Sequence, residues 1–195
     1  MITRNNIAVS ALLLATLGAG ALALAGDIDS SGKRGKVFAS AEIQSCSDAA
    51  VTGSAVLVEE SSDEGVKVVE VALKVRGLPD GKHAVHIHET AACEPCGAAQ
   101  GHFDPGPFGF TSPDGNHPFH SGDLINIEVK GSVGVLKTLT TRVTLSDGPL
   151  GLFDSDGSAF IIHVNPDSYC PNGEEAGCAG GARAACGIIE PVAKR

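Results

Sequence analysis

The amino-acid sequence predicts an all-β protein, a Greek-key sandwich or flattened barrel of about eight strands with two long functional loops. Short runs rich in β-branched residues recur along the chain, and some alternate apolar and polar side chains with a period of two. The 25 glycines and 10 prolines separate these runs, as turn residues do. The sequence shows no convincing amphipathic helix, which also favours an all-β fold.

The clearest strand is 69–75, where four apolar residues alternate with charged ones and a Leu-Pro-Asp-Gly turn follows at 78–81. The other predicted strands, in chain order, are 36–44, 51–59, 83–90, 124–129, 132–145, 158–164 and 182–192. Two stretches between them, 91–122 and 165–181, are long and contain histidines and cysteines. Loops of that length are usually functional or disordered, and these residue types favour functional loops held by bonds.

The first 25 residues have the pattern of a secretory signal peptide. Arg4 supplies the positive charge, 7–24 is apolar, and Ala23-Leu24-Ala25 is a cleavage site. A membrane anchor is the alternative, but the small residues that run into a cleavage site favour removal. We therefore expect a signal peptide at 1–25, a short linker at 26–35 and one domain at 36–195. The mature protein is expected to be periplasmic or extracellular, with no membrane segment.

Charge and cysteine content agree with export. A net charge of −9 makes nucleic acid or an anionic membrane a poor partner, although a local cation can still bind a small anion. The chain has six cysteines, an even number that suggests disulfides in an oxidising compartment. Cys93 and Cys96 form a CxxC motif, but no second CxxC and no helix follow, which disfavours a thiol oxidoreductase or a zinc knuckle.

All seven histidines lie between positions 83 and 163. His86 and His88 lie two apart on a predicted strand, so their imidazoles point to one face and together could grip a metal ion. Alone, this pair is equally typical of two exposed polar residues. The other candidate ligands are His102, His120, Asp123 and His163. Imidazole binds copper and zinc well, and an added carboxylate suits zinc.

Five segments together resemble the Cu/Zn superoxide dismutases, and the resemblance covers about residues 37–192. The matching segments are 83–89 (HAVHIHE), 101–105 (GHFDP), 120–124 (HSGDL), 160–163 (FIIH) and 181–187 (GARAACG). The resemblance implies a β-sandwich that binds copper and zinc. The implied copper ligands are His86, His88, His102 and His163. The implied zinc ligands are His102, which bridges the metals, His120 and Asp123.

The resemblance also implies roles outside the ligand sets. Asp167 would link the two metal sites, and Cys96 would pair with Cys186. Cys170 and Cys178 flank a short loop and could bridge each other, which would leave Cys46 and Cys93 as a pair. His83 points away from His86 and His88, so it is expected to make a structural hydrogen bond.

One departure from the family concerns zinc. The family has a further zinc histidine where this chain has Phe108-Gly109-Phe110-Thr111, so His117 is the candidate for the fourth ligand. The alternative is a weakened zinc site and a protein that works with copper alone.

The implied activity is the dismutation of superoxide to dioxygen and hydrogen peroxide by redox-cycling copper. Arg183 would bind the anion beside copper, and His102 would carry a proton. A non-catalytic exported copper-binding protein is the first alternative, and it would need neither Arg183 nor a bridged second metal. A structural sandwich with vestigial histidines is the second. A homodimer is compatible with the sequence.

Overall fold

The computed structural model of the protein describes residues 36–47, 50–106, 117–171 and 175–193. Within them are ten strands and a 3₁₀ helix at Cys96–Ala99. The strands are β1 (Val37–Ser45), β2 (Thr52–Ser61), β3 (Lys67–Arg76), β4 (Gly81–His83), β5 (Val85–His88), β6 (Ile127–Lys130), β7 (Val133–Thr140), β8 (Ala159–His163), β9 (Arg183–Ile188) and β10 (Glu190–Pro191). The predicted all-β class is confirmed.

The strands form one antiparallel sheet in the order β4-β6-β7-β3-β2-β1-β9-β8-β5, with β10 paired to β1. Strands β4 and β5 lie at opposite edges of this sheet, although only Ala84 separates them in the chain. The sheet therefore curls until its edges meet, which gives a nearly closed barrel. We call this junction of β4 and β5 at Ala84 the seam.

The seam explains why the predicted strand 83–90 is two strands. β4 pairs with β6, whereas β5 pairs with β8. Between them, Ala84 donates its N–H to the carbonyl of Asn165 (2.9 Å) and accepts from the N–H of His163 (3.0 Å). The predicted strand 182–192 is divided in the same way, because Ile189 turns its N–H to the carbonyl of Ser158 (3.0 Å).

The core lies inside the barrel. The apolar residues of β3, Val69, Val71, Leu73 and Val75, are each at most 1% exposed, which confirms the period-two pattern. Strands β5 and β8 are instead buried along their whole length. One face of β5 packs into the core through Val85 and Ile87, and loops cover its other face. His86 and His88 are therefore almost completely buried.

Three disulfides connect the cysteines, and two of them correct the predicted pairing. Cys96 is bonded to Cys46, and Cys186 to Cys93, so the predicted Cys96–Cys186 and Cys46–Cys93 pairs are wrong. The carbonyl of Ala92 lies 3.8 Å from Cys186 Sγ, which brings the neighbouring Cys93 to β9. Cys96, beyond it, meets the end of β1. The sequence could not distinguish two cysteines that lie three apart in one loop.

The third disulfide joins Cys170 to Cys178, the pair suggested by the short loop between them. The predicted signal peptide and linker lie outside the described residues, as do Phe108–Thr111 of the zinc departure. In the part of the chain that the structure describes, no helix has the length and apolar character needed to cross a membrane.

Candidate metal centre

Six histidines and two aspartates meet beside β5, and all eight side chains are buried. They come from four parts of the chain. Strands β5 and β8 supply His86, His88 and His163, the long loop before β6 supplies His102, His117, His120 and Asp123, and the turn after β8 supplies Asp167.

Backbone hydrogen bonds hold the long loop against β5. Phe103 donates its N–H to the carbonyl of Ile87 (2.8 Å), and Ile87 donates to the carbonyl of Gly122 (2.9 Å). A Cβ on Gly122 would lie 2.2 Å from the Ile87 oxygen, so only glycine permits this approach. The loop histidines are consequently carried to the face of β5 where His86 and His88 point.

The four predicted copper ligands, His86, His88, His102 and His163, lie together. Each offers a ring nitrogen, and these atoms are all within 4.8 Å of one another. We call this set the copper-type group. Two of its nitrogens, His86 Nδ1 and His163 Nε2, are 3.2 Å apart.

The other nitrogen of each ring is occupied, which fixes the ring orientation. His88 Nδ1 donates to the carbonyl of Gln100, and His163 Nδ1 to that of Gly181, both at 2.9 Å. His86 Nε2 contacts Asp167 at 2.9 Å and His102 Nδ1 contacts Asp123 at 2.7 Å. His88 Nε2 is left buried with no hydrogen-bond partner, as expected of an atom that awaits a cation.

A second set lies on the other side of His102. His86, His102, His117 and Asp123 offer ligand atoms within 4.8 Å of one another. His120 is not in that set, but its Nδ1 lies 3.2 Å from Asp123 Oδ2, as does His117 Nδ1. Both nitrogens are buried without a hydrogen-bond partner. We call His102, His117, His120 and Asp123 the zinc-type group.

The donor types of the zinc-type group fit zinc, and so do the distances from His117 and His120 to Asp123. Three imidazoles and one carboxylate are typical zinc ligands, with bonds of about 2.0–2.1 Å. Tetrahedral bonds of that length place the ligand atoms about 3.3 Å apart, close to the 3.2 Å seen from both histidines to Asp123. The Nδ1 atoms of His117 and His120 both approach Asp123 Oδ2 without hydrogen-bond geometry. This arrangement is the one expected of ligand atoms that bind the same cation.

Asp167 connects the two groups. Its carboxylate contacts His86 Nε2 at 2.9 Å and His117 Nε2 at 2.8 Å. Each contact leaves the Nδ1 of that histidine free to bind a metal. His117 and His86 therefore contact the same carboxylate, the one that the family resemblance predicts to link the two sites.

Burial sets the charge of these groups. It lowers the pKa of His102 to about 4 and that of His163 to about 3, and it lowers the pKa of His88 well below its usual value. These imidazoles are neutral near pH 7, and each can donate a ring-nitrogen lone pair to a metal ion. Burial also opposes the charge on His117, but Asp123 and Asp167 outweigh it and raise the pKa to about 9.

Burial raises the pKa of both aspartates too, but their histidine partners prevail. Contacts with His102, His117 and His120 hold the pKa of Asp123 far below its usual range. Contacts with His117 and His86 likewise lower the pKa of Asp167. Both carboxylates are therefore ionised at neutral pH and can balance the charge of a bound cation.

Arg183 lies at the mouth of this centre. It is half-buried, and its guanidinium donates to the carbonyl oxygens of Cys96 and Gln100. A cavity of about 390 Å³ is lined by Arg183, His88, His102 and His163, together with Gln100 and small residues. The cavity leads from the surface to the copper-type group, with one cation at its side.

His83 lies outside both groups. Its Nδ1 contacts the carbonyl of His163 and its Nε2 that of Pro79, both at 2.9 Å, which confirms the structural hydrogen bonds expected of it. The sequence analysis missed Gln100 and Gly181, because they act through main-chain carbonyls that no side-chain pattern reveals. Asn126 was not predicted either. Its side-chain Oδ1 accepts a hydrogen bond from the N–H of Asp167 (2.7 Å).

Comparison with known proteins gives a consistent result. A family model described as copper/zinc superoxide dismutase (SODC) matches residues 25–189. A superoxide dismutase [Cu-Zn] 2 of Aquifex aeolicus is 40% identical over 147 residues, which cover 71% of this chain and 79% of that protein.

Two further matches have names of a different kind. The superoxide dismutase-like protein YojM of Bacillus subtilis is 35% identical over 140 residues, which cover 68% of this chain and 66% of that protein. A crystal structure of a double mutant of a SOD-like protein from Bacillus subtilis superposes with a TM-score of 0.55 and 31% identity, covering 76% of this chain and 95% of that one.

Proposed function

Because the chain belongs to the copper/zinc superoxide dismutase family, we propose that it converts two superoxide anions and two protons into dioxygen and hydrogen peroxide. One observation carries the proposal. Four buried imidazoles, oriented by hydrogen bonds to their outer nitrogens, lie within ligand distance of one another, and three of them line a cavity with an arginine beside them. The imidazoles alone would make a metal site. The arginine adds a binding position for an anion.

We propose copper as the ion of the copper-type group and zinc as that of the zinc-type group. Imidazole donors suit copper, and the carboxylate of Asp123 suits zinc. When bound, copper supplies the one-electron oxidation and reduction that dismutation needs. His117 takes the position of fourth zinc ligand, because Asp167 holds its Nε2 and its Nδ1 faces Asp123.

The side chains of the cavity each have a task in this proposal. Arg183 binds superoxide through the guanidinium N–H groups that remain after each arm has donated one hydrogen bond to a main-chain carbonyl. His102 would carry a proton on its Nε2 to the peroxide when zinc, in place of a proton, is held at its Nδ1 beside Asp123. Asp167 keeps His86 oriented throughout.

A non-catalytic exported copper-binding protein is the second candidate. A relative and a solved structure, both from Bacillus subtilis, have names that say "like", which favours keeping this candidate under test. Arg183 favours the enzyme, because a cation beside a copper ion repels that ion and attracts a small anion.

Pulse radiolysis of the purified protein tests the proposal. The metal-free protein, the protein loaded with copper, and the protein loaded with copper and zinc are compared for first-order decay of superoxide. We expect decay that follows copper occupancy and disappears in His88→Ala. Stoichiometric copper binding with decay no faster than in buffer would refute the enzyme and leave the copper-binding protein.

Export is a separate proposal, supported by the leader pattern at 1–25 and by the three disulfides. Expression of the full chain in a bacterial host, followed by N-terminal sequencing of the periplasmic and culture fractions, tests it. We expect a mature protein that begins at Gly26. Full-length protein confined to the cytosol would contradict export.

A further inference from the structure

Asp167 makes three hydrogen bonds to two residues, Asn126 and Tyr169, that have no role in the proposed metal binding. Asn126 accepts the N–H of Asp167 at its Oδ1 (2.7 Å) and donates from its Nδ2 to the Asp167 carbonyl (2.9 Å). The N–H of Tyr169 donates to Asp167 Oδ1 at 2.7 Å. Both the main chain and the carboxylate of Asp167 are therefore fixed by neighbours that touch no metal ligand.

Tyr169 is held in turn. Its hydroxyl accepts from Asn126 Nδ2 at 3.2 Å, which closes a ring of hydrogen bonds around Asp167. Tyr169 and Cys170 have φ angles of 60° and 43°, two successive residues in a region that non-glycine residues rarely adopt. A backbone of this kind persists only where its surroundings enforce it.

The Cys170–Cys178 disulfide provides that constraint. It closes a loop directly after Tyr169. Ser168 donates both its N–H (2.9 Å) and its hydroxyl (3.1 Å) to the carbonyl of Cys178, and Asp167 forms an antiparallel bridge with Ala179. The disulfide thus joins the segment that contains Asp167 to the neighbouring segment at 178–179.

We propose that the Cys170–Cys178 disulfide, with the segments 167–170 and 178–179 that it joins, is a positioning element that, through Asp167, sets the affinity and geometry of the zinc-type site at His117. This inference rests on the metal-binding part of the proposed function. It gives the third disulfide a task beyond general stability. His117 has its Nε2 on Asp167 at 2.8 Å, so any movement of the carboxylate turns the imidazole and its Nδ1 away from Asp123.

Cobalt(II) is the probe for the test, because its visible d–d spectrum reports both occupancy and tetrahedral geometry. Metal-free full-length mature protein is titrated with cobalt in competition with a chelator. His120→Ala identifies the band of the zinc-type site. The test variants are Cys170→Ala/Cys178→Ala and, independently of the disulfide, Asn126→Ala. We expect each to weaken cobalt binding about tenfold or more and to reduce the band intensity at saturation, since changes to partners of metal ligands typically cost 10–100-fold.

Val71→Ala is the matched control for lost stability. Val71 is fully buried on β3, which three strands separate from β8. This variant is expected to unfold at a lower temperature and still bind cobalt with the wild-type affinity and spectrum. Wild-type affinity and spectrum in both test variants would overturn the inference, and so would an equal loss in Val71→Ala.

Superoxide decay of the copper-loaded wild type, measured on the same preparation, separates this inference from the enzyme proposal. Loss of cobalt affinity in the test variants together with an inactive wild type retains the positioning role and rejects the enzyme. A wild type that binds no cobalt rejects both the zinc-type site and the inference.

Discussion

Arg183 and His88 donate hydrogen bonds to the same atom, the main-chain oxygen of Gln100. The guanidinium and a histidine of the copper-type group are therefore fixed relative to each other by one carbonyl. A second carbonyl, that of Cys96, fixes the other arm of Arg183. The distance between the anion-binding cation and the proposed copper ion does not depend on a mobile side chain.

Replacement of Arg183 by alanine is expected to slow copper-dependent superoxide decay about tenfold or more, because local charge guides an anion against the net negative charge. Arg183→Lys keeps the charge but cannot reach both carbonyls, so its rate should be intermediate. Pulse radiolysis at increasing salt measures both.

Arg76→Ala is the matched control for that experiment, since Arg76 is an exposed arginine at the end of β3. It should retain the wild-type rate and salt dependence. Equal rates in wild type and Arg183→Ala would show that the guanidinium does not guide the substrate.

Gln100 has a backbone conformation that suits glycine, with φ 62° and ψ −144°. Its functional atom is the carbonyl oxygen, which any residue provides. We expect Gln100→Gly to raise the free energy of unfolding of the metal-free protein by about 1 kcal/mol, because the strain that it removes, about 1–3 kcal/mol, exceeds the cost in chain entropy, about 0.5–1 kcal/mol. Thermal or urea unfolding measures the change.

Gln100→Ala serves as the comparison, because alanine keeps a Cβ at the same φ angle. It should give no stabilisation. A gain of equal size in both variants would mean that the side chain, and not the backbone angle, is unfavourable.

Metal uptake by the zinc-type group should release a proton. Asp123 and Asp167 overcome the effect of burial and raise the pKa of His117 to about 9, so His117 is protonated in the metal-free protein at neutral pH. A coordinating nitrogen must lose that proton. Zinc affinity should therefore rise with pH until about pH 9, with about one proton released per ion. Titration in a weakly buffered indicator solution counts the protons.

His117→Gln should bind zinc more weakly and release no such proton. Copper uptake offers an internal comparison, because the pKa values of His102 and His163 are lowered to about 4 and about 3. Those two histidines are already neutral at pH 7 and release nothing. Zinc affinity that is flat between pH 6 and about pH 9 would contradict the raised pKa.

Glu89 opposes folding at neutral pH. Burial, with Asp156 and Asp104 nearby, raises its pKa from 4.5 to about 6. The folded protein then binds more protons than the unfolded chain across that window, so stability falls as pH rises through it. Glu89→Gln should stabilise the protein above about pH 6 by less than about 1 kcal/mol, since solvent screens this partly exposed group, and should have no effect near pH 4.

Glu128→Gln is the control for Glu89, because its carboxylate is fully exposed beside Lys130 (2.9 Å), which lowers its pKa. It should not stabilise the protein at any pH. Unfolding by urea across the pH range measures both variants.

Period-two runs and turn residues predicted most strands, since alternation reflects a sheet with one buried face. The pattern could not show where the chain changes partners. The break at Ala84 arises from pairing with β6 on one side and β8 on the other, and that is a property of the closed sheet. Residues 83–88 are all buried, so no alternation of buried and exposed side chains marks the break.

The spacing of histidines predicted the candidate site better than that of cysteines predicted the disulfides. His86 and His88 share a face by strand geometry alone, and the resemblance supplied the other ligands. Cys93 and Cys96 lie three apart in a loop, and both reach the β1–β9 edge. Only the path of the loop decides which of them meets Cys186. Carbonyl acceptors such as that of Gln100 leave no trace in side-chain patterns.

The way the sheet closes determines at what stage of folding the candidate metal site first exists. His86 and His163 meet only after β5 has joined β8, although 77 residues separate them in the chain. Contacts between such distant parts of a chain form slowly and late in folding. An unfolded chain therefore offers scattered imidazoles and no assembled site. A metal ion that binds there would bind after the barrel has closed, and would stabilise the closed form against reopening.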